Sequence, residues 1–303
     1  MTKKSSPATE SLKIPKIIVV PTKLISLLSE RLTVLLIAKI FTTPVKHKIP
    51  KREFQMQQKS SKKKLYIPAL NQDIQLYENG TFNKKILIVH GWSGRGTQLF
   101  KISDTLLAEG YSTVSFDAPA HGASAGNSSL MGDFIESILE IDKTMGPFDA
   151  IIGHSLGGMA VLNAMKQGLK VQCAVAIGSG DIIEEVIENF VKKLGLNSKY
   201  VPLLIGHFEK KLGTKMSDHA AFRAASTITV PVLVLHDKHD PEVPVKTAHN
   251  IYKHLNKGEL ELTENLGHRK ILGNATVISK IITFIKSQEH NKKNSYEISN
   301  NKI

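Results

Sequence analysis

Residues 150–166 constrain the fold more than any other stretch. A short apolar run, Ala150-Ile151-Ile152, leads into Gly153-His154-Ser155-Leu156-Gly157-Gly158, and Met159 to Lys166 follow. The run is long enough to finish a buried strand, and the residues after it are on balance good helix formers. Ser155 therefore stands where a strand turns sharply into a helix. Glycine at 153 and 157 removes the Cβ atoms that would clash in so tight a turn and leaves the serine hydroxyl pointing into the open. A glycine-rich turn whose serine only caps a helix is the plainer reading of the same residues. The rest of the chain weighs against it.

Around this stretch, strands alternate with helices. Lys85 to His90 is a continuous apolar run of the kind found in strands buried on both faces. Further strands are expected at 65–70, 73–77, 112–116, 149–152, 171–177, 230–236 and 259–263. Helices are expected at 98–109, 130–145 and 275–286. Such alternation implies a mostly parallel sheet with helices on both faces. About fifty residues between Ile177 and Val230 contain no convincing strand, although 181–194 and 208–226 read as helical. An insert of that length at a strand's carboxyl end reads as a helical cap, over 178–229, rather than as a loop.

The charge is divided unevenly. Of a net +13, residues 1–64 supply +12, with fifteen lysines and arginines against three acidic residues; the other 239 residues are nearly balanced. The basic character thus belongs to an N-terminal arm and says nothing about a site in the body. Leu24, Leu27, Leu28, Leu32, Leu35 and Leu36 recur at helical spacing and predict an amphipathic helix there. The longest uncharged piece after Arg31, Leu32 to Ala38, is far short of the roughly 20 residues needed to span a bilayer. Two readings of the arm stay open: a helix packed on the body with a solvated basic linker, or a peripheral contact with an anionic membrane. No aromatic interleaving suggests nucleic acid. The single cysteine, Cys173, lies in an apolar strand and reads as a buried small hydrophobe. With no disulfide possible, a cytoplasmic setting is expected. Residues 288–303 form a polar Asn/Lys tail expected to be disordered.

A serine hydroxyl needs a base to take its proton, a carboxylate to orient the base, and donors for the oxyanion. Each has a candidate at a strand's carboxyl end. His268 follows the final strand. Asp240 and Asp237 both follow the strand ending at His236; Asp240 is favoured, and Asp237 competes with it. His236, Asp237, His239 and Asp240 fit no common zinc spacing, so no metal is expected. Backbone N–H groups of Leu156 and of Trp92, in the loop His90-Gly91-Trp92-Ser93-Gly94-Arg95-Gly96, are the oxyanion candidates. The same loop could cradle a phosphate, but Gly-Lys-Ser/Thr is missing.

With these residues assembled, the chain resembles the α/β-hydrolase superfamily over about residues 65–287. The likeness is carried by His90-Gly91-Trp92, Phe116-Asp117-Ala118-Pro119-Ala120-His121-Gly122-Ala123-Ser124, Gly153-His154-Ser155-Leu156-Gly157-Gly158, His239-Asp240-Pro241-Glu242-Val243-Pro244 and Gly267-His268, with the family's order Ser…Asp…His. It looks closest to the serine esterase, monoacylglycerol-lipase-like and serine-aminopeptidase-like branch. The resemblance implies catalytic roles for Ser155, Asp240 and His268, no cofactor, and a mainly structural role for Asp117 to Ser124. Branches that use Asp as nucleophile do not fit, since Ser155 holds that position. Two departures stand out. Asp237 occupies a place where the family commonly has glycine, and the arm has no counterpart in the family's core pattern. The expectation is a serine hydrolase acting on an ester or other small acyl substrate, with Phe190 and Phe222 of the cap lining an acyl pocket. The alternatives are a peptidase or carbon–carbon hydrolase with the same residues, or a non-catalytic protein binding a membrane or partner through the arm.

Overall fold

The structure is a computed structural model; it describes residues 14–300, with side chains through 289. The arm folds as α1 (Lys16–Leu28), α2 (Glu30–Thr42) and α3 (Phe54–Lys59). The body follows as β1 (Ser61–Ile67), β2 (Gln72–Asn79), β3 (Lys85–Val89), α4 (Phe100–Ala108), β4 (Ser112–Asp117), α5 (Met131–Met145), β5 (Ala150–His154), α6 (Leu156–Lys166) and β6 (Cys173–Ile177). The insert is α7 (Ile183–Lys193), α8 (Tyr200–Leu212) and α9 (Ala221–Ala225). The chain closes with β7 (Val232–Asp237), α10 (Lys246–His254), β8 (Gly258–Thr263), α11 (Gly267–Lys270) and α12 (Ala275–Asn300).

The eight strands form one sheet in the order β1-β2-β4-β3-β5-β6-β7-β8. β1 and β2 pair antiparallel, β2 and β4 likewise, and every other pair is parallel. The α/β architecture expected from the alternation is thus present, with the helical insert before the penultimate strand. Ser61 to Lys64, read from sequence as the end of the basic arm, begin β1. Lysine suits an edge strand because its charge discourages pairing with another chain, and Lys63 meets Glu78 of the neighbouring strand at 2.9 Å.

Side chains alternate across the sheet and feed two cores. Ile86 and Ile88 of β3 pack with Ile102 of α4 and Ile281 of α12. Leu87 and Val89 face the other way, toward Phe134 of α5 and Val161 of α6. Cys173 belongs to the first of these cores, and burial pushes its thiol up to about 12.

A third core lies outside the sheet. Ile37 and Ala38 of α2 pack with Ile187 and Val191 of α7 and with Tyr200, Leu204 and Phe208 of α8. The arm's single expected helix is in fact two. Ser29 interrupts it with an extended backbone, and its side chain accepts the Leu32 N–H to cap α2. At the other end, α12 continues to Asn300 and so covers most of the stretch for which a disordered tail from 288 is expected. Residues 1–13 and 301–303 lie outside the described part.

Candidate active site

β5 ends at His154, and Ser155 takes φ 54°, ψ −121° before α6 begins. A side-chain-bearing residue at positive φ costs about 1–3 kcal/mol and persists only where its surroundings enforce it. Here they do. The Ser155 N–H donates to the Ile177 carbonyl at the end of β6, 2.9 Å away. A Cβ at Gly157 would press on the carbonyl oxygens of His90 and Val89, and one at Gly153 would press on the Gly157 carbonyl. Gly157 lets the start of α6 sit directly against the end of β3, and Gly153 lets it turn tightly off β5.

The loop after β3 passes just as close. A Cβ on Gly91 would lie 2.8 Å from the Ser155 Cβ. Trp92, the next residue in the loop, is half-buried. On the serine's other side Leu156 opens α6, where a first-turn N–H has no carbonyl within the helix to bond.

His268 is positioned by three contacts. Its Nδ1–H donates to Asp240 Oδ2 at 2.7 Å. Because a carboxylate only accepts, Nδ1 carries a proton, and in the neutral ring the lone pair is then on Nε2. Its backbone carbonyl accepts from His154 Nε2 at 2.9 Å. Beneath it, a Cβ on Gly178 would lie 3.3 Å from His268 Nδ1 and 3.6 Å from Asp240 Oδ2. Gly178 directly follows Ile177, the residue that holds the Ser155 backbone. The His268–Asp240 pair lies over Gly178 and the serine turn is held by Ile177, so consecutive residues at the end of β6 carry both.

The two competing aspartates have different partners. The second oxygen of Asp240 accepts the N–H groups of Glu242 and Val243 at 2.8 and 3.0 Å. Burial alone would raise its pKa; the bond to His268 and these two N–H groups outweigh that and hold it below the ordinary value. Asp237 instead accepts from Thr263 Oγ1, Leu266 N and His239 N. Those bonds likewise overcome its burial and hold its pKa low. Asp237 ties the tip of β7 to β8 and to Leu266, in the turn that precedes His268.

His236, in the same segment, is bonded to the backbone. Its Nε2 bonds the Val243 carbonyl at 2.9 Å and lies 3.7 Å from Asp240 Oδ2. Among the described residues no group of three or more His, Cys, Asp or Glu side chains is gathered as a metal would require.

The loop from Trp92 to Gly96 is anchored from two directions. Within the body, Asp117 accepts the Gly96 N–H at 2.7 Å and the Tyr77 hydroxyl at 2.9 Å. His90 bonds the Gly91 carbonyl through Nδ1 and accepts the Ala118 N–H through Nε2; burial lowers its pKa to about 4. His121 stacks edge-on to Trp92 at 5.1 Å, and burial together with His90 lowers it to about 3. From the arm, the buried Glu53 carboxylate accepts from Arg95 Nε and Thr97 Oγ1, both at 2.8 Å. Arg95 also bonds the His47 carbonyl, and Ser93 Oγ accepts the Val45 N–H. Sequence reasoning missed Glu53. It is the only acidic residue between Arg31 and Lys64, a weak but available signal.

Residues 86–274 match the sequence profile of the alpha/beta hydrolase family. The chain belongs to that family. Solved structures with the same fold include an esterase of Pyrococcus furiosus, 16% identical over 81% of this chain and 97% of that one, with a TM-score of 0.64. A putative lipase of Acinetobacter baumannii is 19% identical over 81% and 99%, with a TM-score of 0.62. Alpha/beta hydrolase domain-containing protein 10 from mouse is 18% identical over 76% and 99%, with a TM-score of 0.61. At these identities the likeness is one of fold.

Phe190 and Phe222, the two residues of the insert expected at an acyl pocket, have neighbours of their own. Phe190 is 5.1 Å, edge-on, from Phe41 of α2, inside the arm–cap core. Phe222 packs on His254 of α10 at 5.0 Å with Arg223 over its ring. A hollow of about 460 Å³ lined by Gln55, Met56, Lys59, Asn79, Asp104 and Leu107 shares none of the residues around Ser155.

Proposed function

We propose that the protein is a serine hydrolase of carboxylic esters, acting through an acyl-enzyme on Ser155. The observation that carries this reading is the 2.7 Å bond from His268 Nδ1 to Asp240, above the glycine that adjoins the serine turn. His268 Nε2 takes the Ser155 proton as Oγ attacks the acyl carbon, and then gives it to the departing alkoxide. Water repeats the sequence in reverse: His268 takes its proton, the hydroxide attacks the acyl-enzyme, and Ser155 leaves reprotonated with the free acid as product. Asp240 stays ionised throughout, keeping the ring in the tautomer with Nε2 free and stabilising the imidazolium. The N–H groups of Trp92 and Leu156 receive the oxyanion. A small acyl substrate in the cytoplasm is the setting this reading favours, and it requires no cofactor.

A fluorophosphonate probe tests the proposal on the full chain. Labelling of the wild type, lost in Ser155→Ala, is the expected result. A folded wild-type protein that neither labels nor hydrolyses any of a panel of esters of graded acyl length overturns it.

A further inference from the structure

The exposed face of α1 and α2 has no role in the site. Fifteen large apolar side chains are exposed among the described residues, and seven of them fall between residues 17 and 35. On α1 these are Ile17, Val20, Leu24, Leu27 and Leu28. At 3.6 residues per turn they occupy an arc of about 100°. Ile17, Leu27 and Leu28 are each more than 80% exposed. The opposite arc, with Ile18 and Val19, packs against the arm–cap core, and Thr22 on that side is buried. The helix is thus apolar on two faces, of which the protein covers one. Scattered exposed leucines are ordinary, but a cluster on one helix face calls for a partner.

Charge identifies that partner. Lys16 and Lys23 are exposed and border the apolar arc on α1. On α2, exposed Arg31 and Lys39 share the outward face with Leu32 and Leu35. The whole first 64 residues carry +12. A second copy of the chain would set these cations against their own kind. A nucleic acid would meet the cations but leave the leucines unused, and the α1 arc has no aromatic ring on which a base could stack. No helix among the described residues is long and apolar enough to cross a membrane. Leucines on a face edged by lysine match a surface that is apolar within and anionic without.

We infer that the outward face of α1–α2 docks on an anionic lipid bilayer in the plane of its head groups. Because α2 shares a core with α7 and α8, this face and the cap form one body. Tyr200 OH donates to the Ser26 carbonyl at 3.2 Å, and Lys199 pairs with Glu30 at 3.0 Å. Docking therefore sets the orientation of the cap toward the membrane. None of this depends on Ser155 chemistry, so the Ser155→Ala protein is expected to dock equally well.

The test is sedimentation of the full chain with vesicles of phosphatidylcholine mixed with phosphatidylglycerol, and with phosphatidylcholine alone. Binding is expected to the mixed vesicles and to weaken as salt rises, since screening shortens the reach of surface charge to about 10 Å at 0.1 M. The pair Leu27→Glu and Leu28→Glu removes two exposed apolar groups and is expected to weaken binding about tenfold or more. Lys16→Glu with Lys23→Glu serves as a second variant, expected to abolish the preference for the anionic vesicles. The proposal fails if the wild type does not bind, or if neither folded variant binds less. It also fails if light scattering finds a dimer that the leucine pair splits while vesicles are ignored, or if the chain binds single-stranded DNA in place of vesicles.

Discussion

The strand tips around Ser155 and the outward face of α1–α2 treat polar and apolar groups in opposite ways. Around the strand tips four carboxylates are committed: Asp240 to His268, Asp237 to Thr263 and Leu266, Asp117 to Gly96 and Tyr77, and Glu53, from the arm, to Arg95 and Thr97. On α1–α2, Lys16, Lys23, Arg31 and Lys39 are exposed, and Leu27 and Leu28 are more than 80% exposed. A site that does chemistry gains from groups fixed before substrate arrives, because little is left to reorganise during reaction. A docking face gains from groups left uncommitted, because their free energy is released only on contact. The glycine-spaced turn and the leucine stripe are both conspicuous in sequence, yet one marks an interior and the other an exterior.

The largest effects belong to the committed region. Ser155→Ala and His268→Ala are each expected to keep the fold and to lose on the order of 10⁶ in kcat on an activated ester, because neither group works without the other. Circular dichroism with steady-state rates checks both. A folded Ser155→Ala protein that turns over normally ends the mechanism and leaves the fold without a known use.

The two aspartates sharpen the contrast within the site. Asp240→Asn is expected to cost on the order of 10⁴ in kcat, since an amide in its place no longer selects the imidazole tautomer or balances its charge. Stability should change little by comparison. Asp237→Asn should do the reverse, leaving kcat within about tenfold. It should lower unfolding free energy by about 1–3 kcal/mol as Thr263 and Leu266 lose their acceptor. A greater rate loss at Asp237 than at Asp240 would move the acid to Asp237 and leave Ser155 and His268 where they are.

This division was only partly open to sequence reasoning. The turn at Ser155 was legible because its cause is local: glycine at 153 and 157, beside a strand and a helix with plain patterns. The order Ser155, Asp240, His268 was legible because each follows a strand. The choice between the aspartates rests on partners 26 to 29 residues away in β8 and the turn beyond it, which no local pattern encodes. Glu53 reaches Arg95 across 42 residues and was invisible for the same reason. The leucine periodicity was real, but period reports that a face is apolar and not what covers it. The face that packs on the cap is instead marked by Thr22, Thr33, Ile37 and Ala38, two of which are polar.

Glu53 gives the next effect in size, since it joins the arm to the loop beside Ser155. Glu53→Ala would leave Arg95 largely buried without its carboxylate, and breaking a buried pair on one side costs about 3–5 kcal/mol. A lowered denaturant midpoint is expected, with weaker activity where the protein stays folded. Removing residues 1–64 would remove Glu53 and four residues of β1 together, so it does not isolate the docking face. An unchanged midpoint in Glu53→Ala would mean that the arm and the loop are independent.

The buried histidines predict the pH response. His90 is lowered to about 4 and His121 to about 3, and His154 and His236 move the same way, each chiefly through burial. Below the unfolded value near 6.5 the unfolded chain takes up protons that the folded chain refuses. Stability is therefore expected to fall as pH drops from about 6.5 toward 4, by about 1.4 kcal/mol per pH unit for each of His90 and His121, and His154 and His236 add to the fall in the same direction. Urea midpoints across that range check it. His121→Phe should flatten the slope by about one proton, and an unaltered slope would show that His121 is not held neutral.

The smallest expected effect is the one that most directly separates the two faces of the arm. Leu27→Glu places a charge where a leucine is 82% exposed, with nothing packed over it to lose. Its unfolding free energy should stay within about 0.5 kcal/mol of wild type, as for surface changes in general. Ile37→Ala, on the face of α2 that meets Tyr200 and Phe208, should cost about 2–5 kcal/mol through the cavity it opens. Both are read by urea denaturation in the absence of lipid. A marked loss at Leu27 would mean that the leucine stripe is covered in solution, by another part of the chain or by a second copy, and the contrast between a committed interior and an uncommitted face would collapse. A near-neutral Leu27→Glu beside a costly Ile37→Ala would leave the stripe as surface that the fold itself does not use, which is the condition a docking face has to meet.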